Sequence, residues 1–470
     1  MSMFSQESIV SSIRDGKTSY LLEYIEENLK KHSLTHSRDD PDDPQCDFLE
    51  SLQYVLEIFI TSTSIYLEGK AENGEDIAGN LLKSCLKFMK ISCVHGKALQ
   101  GMIVKQTRAL EAMKSILQSH LKTQESATIK KWTWHLLANV LVDNVETLKI
   151  MWPPFGNFLL KEVLEDHENS GTTAAVIYYS LRLALLNNVQ EIPTVEMFRH
   201  IIGALERNVE SSGSNRMDFI HLSFEFLLTE SDKFGEIFSQ LCGHDRIWMI
   251  YYITDHVKDS QEGDIRKDVL LYLPREFNKK SECILNSKSP KYHEDDPKEV
   301  MALLRCFVAV TGSEKYAKIY SQEGSFFINV CALLVAVQTL SSQGDAPFAP
   351  LGKLEDFSST SEAAQEAEKE IFFELKTLLV RLIANLSHKN RKNQDLAREI
   401  KALITICGCT TMDARNPMMK EWAIVALKNL LEGNAENQNV IHSLVNQGPA
   451  ANEVLAELMM ENGSVRINRN

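Results

Sequence analysis

Asp15-Gly16-Lys17-Thr18 ends like a phosphate-binding loop, in which backbone amides and a lysine cradle a nucleotide. The glycine needed five positions before Gly16 is Ser11, and no strand pattern precedes it, so that chemistry is excluded. Cys407-Gly408-Cys409 has the wrong spacing for a Cys-x-x-Cys hairpin and no second pair follows, so it reads as a helix end with Gly408 at the cap. The 13 histidines form no His-Glu-x-x-His helix, and no Gly-x-Ser-x-Gly elbow holds a nucleophile. The expectation is a protein without catalytic residues, metal or cofactor. Four residues remain as candidates for holding a partner: Asn139, Asn385, Asn429 and Arg381. An asparagine amide can donate to and accept from an extended peptide backbone, or instead bridge backbone groups between neighbouring turns, and the residues leave both roles open.

The elements that must position these residues are helices. Ile371, Leu375, Leu378, Leu379, Leu382, Ile383 and Leu386 recur at steps of three and four, which places them on one stripe of a helix. Similar stripes start at Phe48, Leu81, Phe219 and Val300, while period-two alternation is scarce. The predicted fold is all-α. Trp132, Trp134 and Trp422 fall in such helices as core residues; in Trp152-Pro153-Pro154-Phe155 the paired prolines predict a helix stop and a loop whose aromatics pack.

The helices repeat. Aligning the segment from Arg381 with that from Val425 pairs Asn385 with Asn429, Leu386 with Leu430, Asn390 with Asn434, Asn393 with Asn437 and Gln394 with Gln438, an offset of 44 residues. A third copy upstream matches Leu136, Ala138, Asn139 and Asn144 to Leu382, Ala384, Asn385 and Asn390. Trp132 and Trp422 each stand seven residues before their asparagine, where Leu378 stands in the other copy. That period is the size of a HEAT or armadillo unit, whose apolar stripe is satisfied only by stacked neighbours. Armadillo proteins that grip basic targeting peptides carry Trp one turn before the asparagine; here the places hold Arg381, Val425 and His135, which argues against an import receptor.

Breaks in the pattern divide the chain into residues 1–47, an N-terminal helix and acidic linker; 48–340, armadillo-like repeats; 341–366, a flexible acidic linker; and 367–470, a C-terminal armadillo-like domain. Ser358, Ser359, Thr360 and Ser361 in the third segment are either kinase-accessible hydroxyls or plain solvated linker. With 50 Lys+Arg against 64 Asp+Glu the net charge is -14, which disfavours nucleic acid and favours basic or mixed-charge partner segments. Nine dispersed cysteines and an N-terminus without a signal-peptide pattern point to the cytoplasm. Residues 326–340 are the most apolar stretch, read as a buried helix with no membrane insertion.

The segment from Phe373 through Ile441, with its Glu-Leu-Lys opening, its Asn-Leu and Asn-Gln pairs and the Glu-Trp before the second Asn-Leu, resembles the C-terminal domain of the ataxin-10 family. The resemblance implies an armadillo-like, non-catalytic cytoplasmic adaptor associated with neuronal survival and outgrowth and with completion of cell division. It supplies no binding residues to carry over. The expected function is therefore a scaffold that binds other proteins, with homo-oligomerisation possible. The alternative, from a different class, is a helical-solenoid regulator of a GTPase, either an exchange factor or a chaperone.

Overall fold

Apolar stripes at helical spacing need a partner surface, and this chain answers each helix with another. The computed structural model describes residues 6–33, 45–68, 74–165, 170–208, 216–259, 264–286, 291–342, 348, 350, 370–445, 458–461 and 464–467. They group into two units, Met1–Leu227 and Leu228–Asn470.

In the first unit the helices are α1 (Gln6–Arg14), α2 (Ser19–Ser33), α3 (Gln45–Glu68), α4 (Gly74–Val94), α5 (Lys97–Lys105), α6 (Thr107–Gln118), α7 (Gln124–Leu141), α8 (Val145–Glu165), α9 (Ser170–Asn187) and α10 (Thr194–Asn208), with α11 (Arg216–Thr229) at its end. Helices α4, α7 and α9 lie side by side as one ladder, and α3, α6, α8 and α10 pack on it and on their neighbours as a second layer. Trp134 is fully buried in α7, stacked on Phe158 at 5.9 Å between ring centroids. The predicted loop at Trp152 is corrected: α8 runs unbroken through Pro153 and Pro154. Interior proline costs a helix about 3 kcal/mol, but the flanking Trp152 and Phe155 are both buried. Each such side chain contributes about 1.5–3 kcal/mol, and that packing holds the turn together. Trp152 lies so close over Gly156 that a Cβ there would come within 2.7 Å of the indole.

The second unit continues with α12 (Phe234–Gln240), α13 (Gly243–Lys258), α14 (Lys267–Lys280), a 3-10 turn at Ser281–Ile284, α15 (Asp296–Gly312), α16 (Gly324–Ser341), α17 (Leu375–Ser387), α18 (Arg391–Glu399), α19 (Ala402–Gly408), α20 (Met419–Leu431) and α21 (Ala435–Val445). Successive packing of α13, α15, α17 and α20 makes a ladder, backed by α12, α14, α16 and α19. This is the predicted helical solenoid. Between the layers Phe277, Phe307, Phe326 and Tyr320 meet edge to face, with centroids 4.7 to 5.7 Å apart. Tyr320 keeps its hydroxyl satisfied by donating to the Leu270 carbonyl at 3.1 Å.

Helix α16 is long and apolar enough to cross a membrane by length and composition alone. In this fold it packs against α14, α17 and α19, burying Phe326, Phe327, Val330, Cys331, Leu334 and Val337. Although the acidic joint stands between α16 and α17 in sequence, the two helices are in direct contact. Most of that joint, including Ser358, Ser359, Thr360 and Ser361, lies outside the described residues. A departure from the helical pattern comes near the C-terminus, where β1 (Leu458–Glu461) pairs antiparallel with β2 (Ser464–Ile467), Leu458 opposite Ile467. The Asn462-Gly463 dipeptide between them is a strong hairpin signal in the sequence.

Candidate functional site

The last four carbonyls of a helix have no partner inside it, and the repeats resolve this with a shared side-chain device. After α20, Gly433 takes a left-handed turn at φ 66° and Asn434 caps α21, its Oδ1 accepting from the Asn437 amide at 3.1 Å. Asn437 reaches back to the Leu430 carbonyl at 2.8 Å. From the preceding repeat, Gln394 Nε2 donates to the carbonyls of Asn429 (2.9 Å) and Glu432 (3.3 Å), while its Oε1 accepts from Asn434 at 3.3 Å. One repeat earlier the pattern recurs: Lys389 is left-handed at φ 51°, Asn390 caps α18 by accepting from the Asn393 amide, and Asn393 donates to the Leu386 carbonyl at 2.9 Å. It recurs again in the first unit. There Asp143 turns at φ 51°, Asn144 caps α8, Thr147 donates to the Val140 carbonyl, and Gln100 Nε2 bonds the carbonyls of Asn139 and Val142 at 3.2 Å each.

This geometry fixes what the candidate asparagines do within the fold. Asn385 donates across to Thr311 Oγ1 of α15 at 3.0 Å, and Asn429 donates to the Ala384 carbonyl of α17 at 2.9 Å, so each ties its helix to the previous rung. Asn139 is half-buried and accepts from Gln100 through its carbonyl; its amide group makes no hydrogen bond to another described residue. Gln100 was not singled out from the sequence, and Gln394 appeared there only as the repeat match of Gln438, because each belongs to one repeat and acts on the helix end of the next.

A second polar assembly sets the start of α17. Lys376 and Asp413 form an ion pair at 3.4 Å with side-chain exposures of 2% and 1%. Asn416 accepts from the Lys376 amide at 2.8 Å and donates to Asp413 at 2.8 Å, and Thr377 donates to the Pro417 carbonyl. Arg415 pairs with Glu370 at 2.9 Å. The loop Asp413–Pro417 is thereby clamped to the N-terminal turn of α17.

Arg381 occupies different ground. Its guanidinium lies over the half-buried Trp422 ring, 4.5 Å from the centroid, and its Nε is buried without a hydrogen-bond partner. Loss of hydration holds its pKa below the usual guanidinium range, with only Glu374 acting in the opposite sense. Arg381 and Leu378 form one wall of a groove of about 740 Å³ whose other walls come from the ends of α13 and α15, including Tyr251, Arg305, Val308 and Gly312. In the first unit Lys90 stands over Trp132 in the same relation, 6.0 Å from its centroid.

Among the described residues no group of three His, Cys, Asp or Glu could hold a metal ion. None of the eight described cysteines is in a disulfide, and seven are buried. Burial pushes Cys407 to about 11 and Cys409 to about 12, so this pair sits at the end of α19 as inert packing.

The family model described as "Spinocerebellar ataxia type 10 protein domain" matches residues 375–467. An ataxin-10 homolog of Dictyostelium discoideum is 46% identical over 85 residues, 18% of this chain and 14% of the relative. Human ataxin-10 is 36% identical over 86 residues, 18% of each chain, and ataxin-10 of Xenopus tropicalis is 19% identical over 391 residues, 80% of this chain and 77% of the relative. Residues 375–467 thus match the ataxin-10 family domain, and the chain over most of its length is similar to ataxin-10. Among solved structures, an engineered protein aligns over 90% of this chain and 92% of its own at 13% identity and a TM-score of 0.36.

The ataxin-10 domain thus opens at Leu375, the first residue of α17, and its Glu-Leu-Lys signature carries the lysine that the Asp413 loop buries. Its Asn-Leu pairs are the inter-rung donors, and its Asn-Gln pairs supply the asparagines that reach back to the helix-end carbonyls. Its Glu-Trp supplies the ring under Arg381. The groove is only half a feature of the ataxin-10 domain, since Tyr251 and Arg305 lie upstream of it.

Proposed function

We propose that this ataxin-10-like chain is a non-enzymatic cytoplasmic adaptor that holds partner proteins on the open face of the ladder formed by α13, α15, α17 and α20. The processes it serves would be those the resemblance implies, neuronal survival and outgrowth and completion of cell division. The observation that carries the reading is a contrast in satisfaction. The polar groups of the inter-repeat turns bond to one another, whereas the groove presents Arg305 and Arg381 without an ion-pair partner among the described residues. Beside them, Tyr251 and Val425 are exposed. Charged and aromatic side chains left in this state on a rigid element are what a binding face offers. The buried thiols, none of them in a disulfide, accord with a reducing compartment.

The test is site-specific photocrosslinking. With a photoreactive residue at Val425 or Tyr251 of the full-length chain in cytosolic extract, discrete adducts should form, and the same probe at the exposed Glu111 of α6 should give none. Equal labelling at all three places, or none at any, would defeat the adaptor reading.

A further inference from the structure

Arg305 and Arg381 line one groove and neither has a carboxylate partner among the described residues, although the chain carries a net charge of -14. The lysines around the same groove are already neutralised: Lys258 pairs with Asp255 at 3.3 Å, and Lys315 pairs with Asp264. Asp259 and Glu314 also line the groove, yet neither pairs with either guanidinium. The cations of this face that lack a carboxylate partner among the described residues are therefore these two half-buried guanidinium groups.

Arg381 is held ready for a carboxylate. The Trp422 ring, 4.5 Å below the guanidinium carbon, holds the group in place, and a positioned fork loses little freedom when it takes a carboxylate in bidentate fashion. Gly312 lies below one of its terminal nitrogens, where even an added Cβ would stay 4.0 Å away, so the approach is open. Val308 and Leu378, both buried, and the exposed Tyr251 supply apolar wall beside the charges. Three neighbouring rungs at helix-packing distances span about 20 Å, which is the length of about six residues of extended chain.

We propose that this groove docks an extended acidic segment of a partner protein, with a carboxylate side chain on Arg305 and Arg381 and an apolar side chain against Val308 and Tyr251. The proposal deepens the adaptor reading and rests on it. It also reverses, for this face, the partner charge that the net charge of the whole chain favours.

The experiment uses the full-length chain and fluorescein-labelled seven-residue peptides that alternate Leu with Asp and Glu, against matched peptides with Lys in place of the acids, read by fluorescence anisotropy. The acidic peptide should bind at least tenfold tighter than the basic one and weaken as salt rises. Arg381→Gln and Arg305→Gln should each weaken it at least tenfold, and Arg381→Lys should recover only part of the loss because the fork is gone. Circular dichroism establishes that each variant is folded, and the exposed Lys428→Gln serves as a control that leaves binding unchanged.

Equal affinity for both peptides, or preference for the basic one, overturns the inference; discrete crosslinks at Val425 and Tyr251 would in that case still uphold the adaptor. Binding that emerges only after residues 351–369 are replaced by Gly and Ser assigns the groove to the chain's own acidic segment and overturns it too. So does a concentration-dependent dimer in sedimentation that Arg381→Gln abolishes, since the occupant would then be a second copy.

Discussion

The turn after α7 in the first unit and the turn after α20 in the second meet the same need with the same geometry but not the same residues. Both have a left-handed residue, a capping asparagine, and a glutamine from the previous repeat across two helix-end carbonyls. Where Asn437 reaches back to Leu430, however, Thr147 reaches back to Val140, and where Gly433 supplies the turn, Asp143 does. What recurs is the satisfaction of carbonyls at the seam between repeats, and the chemistry of the donor is free to vary. The two ladders differ more at the other end of the helix. The N-terminus of α7 is capped by Thr123 alone, accepting from the Ser126 amide at 3.0 Å, whereas α17 is fastened by a buried ion pair and the loop that carries it.

That difference makes the strongest test. Asp413→Ala leaves the Lys376 ammonium buried and unpaired, and breaking a buried pair in this way costs about 3–5 kcal/mol. The urea midpoint of the second unit should fall by that equivalent. The double change Lys376→Met with Asp413→Leu should recover most of it, because no buried charge remains. Thr123→Ala at the matching place in the first unit should cost only about 1 kcal/mol. Similar losses from both single changes would mean that the clamp adds nothing beyond an ordinary cap.

The glutamines come next. Gln394→Ala strips two carbonyls of their glutamine donor, while Asn434 keeps Asp395 as its acceptor, at about 1–3 kcal/mol for each buried group left unsatisfied. Gln100→Ala removes the corresponding two bonds in the first unit, with a longer one to the Cys93 carbonyl at 3.4 Å, while Asn144 keeps the Lys97 carbonyl. Equal destabilisation of the two units, measured by native-state hydrogen exchange at helix ends 139–142 and 429–432, would establish the seam as one device. A loss confined to Gln394 would break the equivalence.

These residues also mark the limit of what the sequence revealed. The apolar spacing disclosed the helices, and the asparagine register disclosed the repeat, because both patterns are written within one element. Asn390 and Asn434 could be aligned as partners from their spacing, and the structure places both as caps. Gln100 was invisible because its contacts lie 39 and 42 residues away and its own helix shows no copy of the motif. Lys376 stood in the Glu-Leu-Lys opening, but its pairing with Asp413, 37 residues on, became visible only when folding brought the two together. The prolines of α8 misled in the opposite sense, since local propensity yielded to the burial of Trp152 and Phe155. For the groove, Arg381 was legible from its repeat position, while Arg305 needed the fold.

A smaller effect separates the two units by pH. Burial, with Lys90 and Lys131 nearby, lowers the His135 pKa to about 4 from the ordinary 6.5. Between those values the unfolded chain binds the proton and the folded chain does not, so this contribution is whole above 6.5 and is lost as pH falls toward 4. Wild type should therefore lose more stability between pH 7 and pH 5 than His135→Gln does. The aligned position in the second unit is Arg381, and Arg381→Gln should leave the slope over that range unchanged.

The smallest change tests the turn itself. Lys389 occupies a left-handed conformation at φ 51° that glycine adopts freely and that costs a side-chain-bearing residue about 1–2 kcal/mol. Lys389→Gly relieves that strain but widens the unfolded ensemble, so a net gain of about 0.5 kcal/mol is expected. Gly433→Ala, at φ 66°, makes the reverse change and should cost about 1 kcal/mol. Thermal midpoints of the two variants should move in opposite directions. If Lys389→Gly destabilised instead, the lysine side chain would be contributing to the seam, and the two turns would not be interchangeable after all.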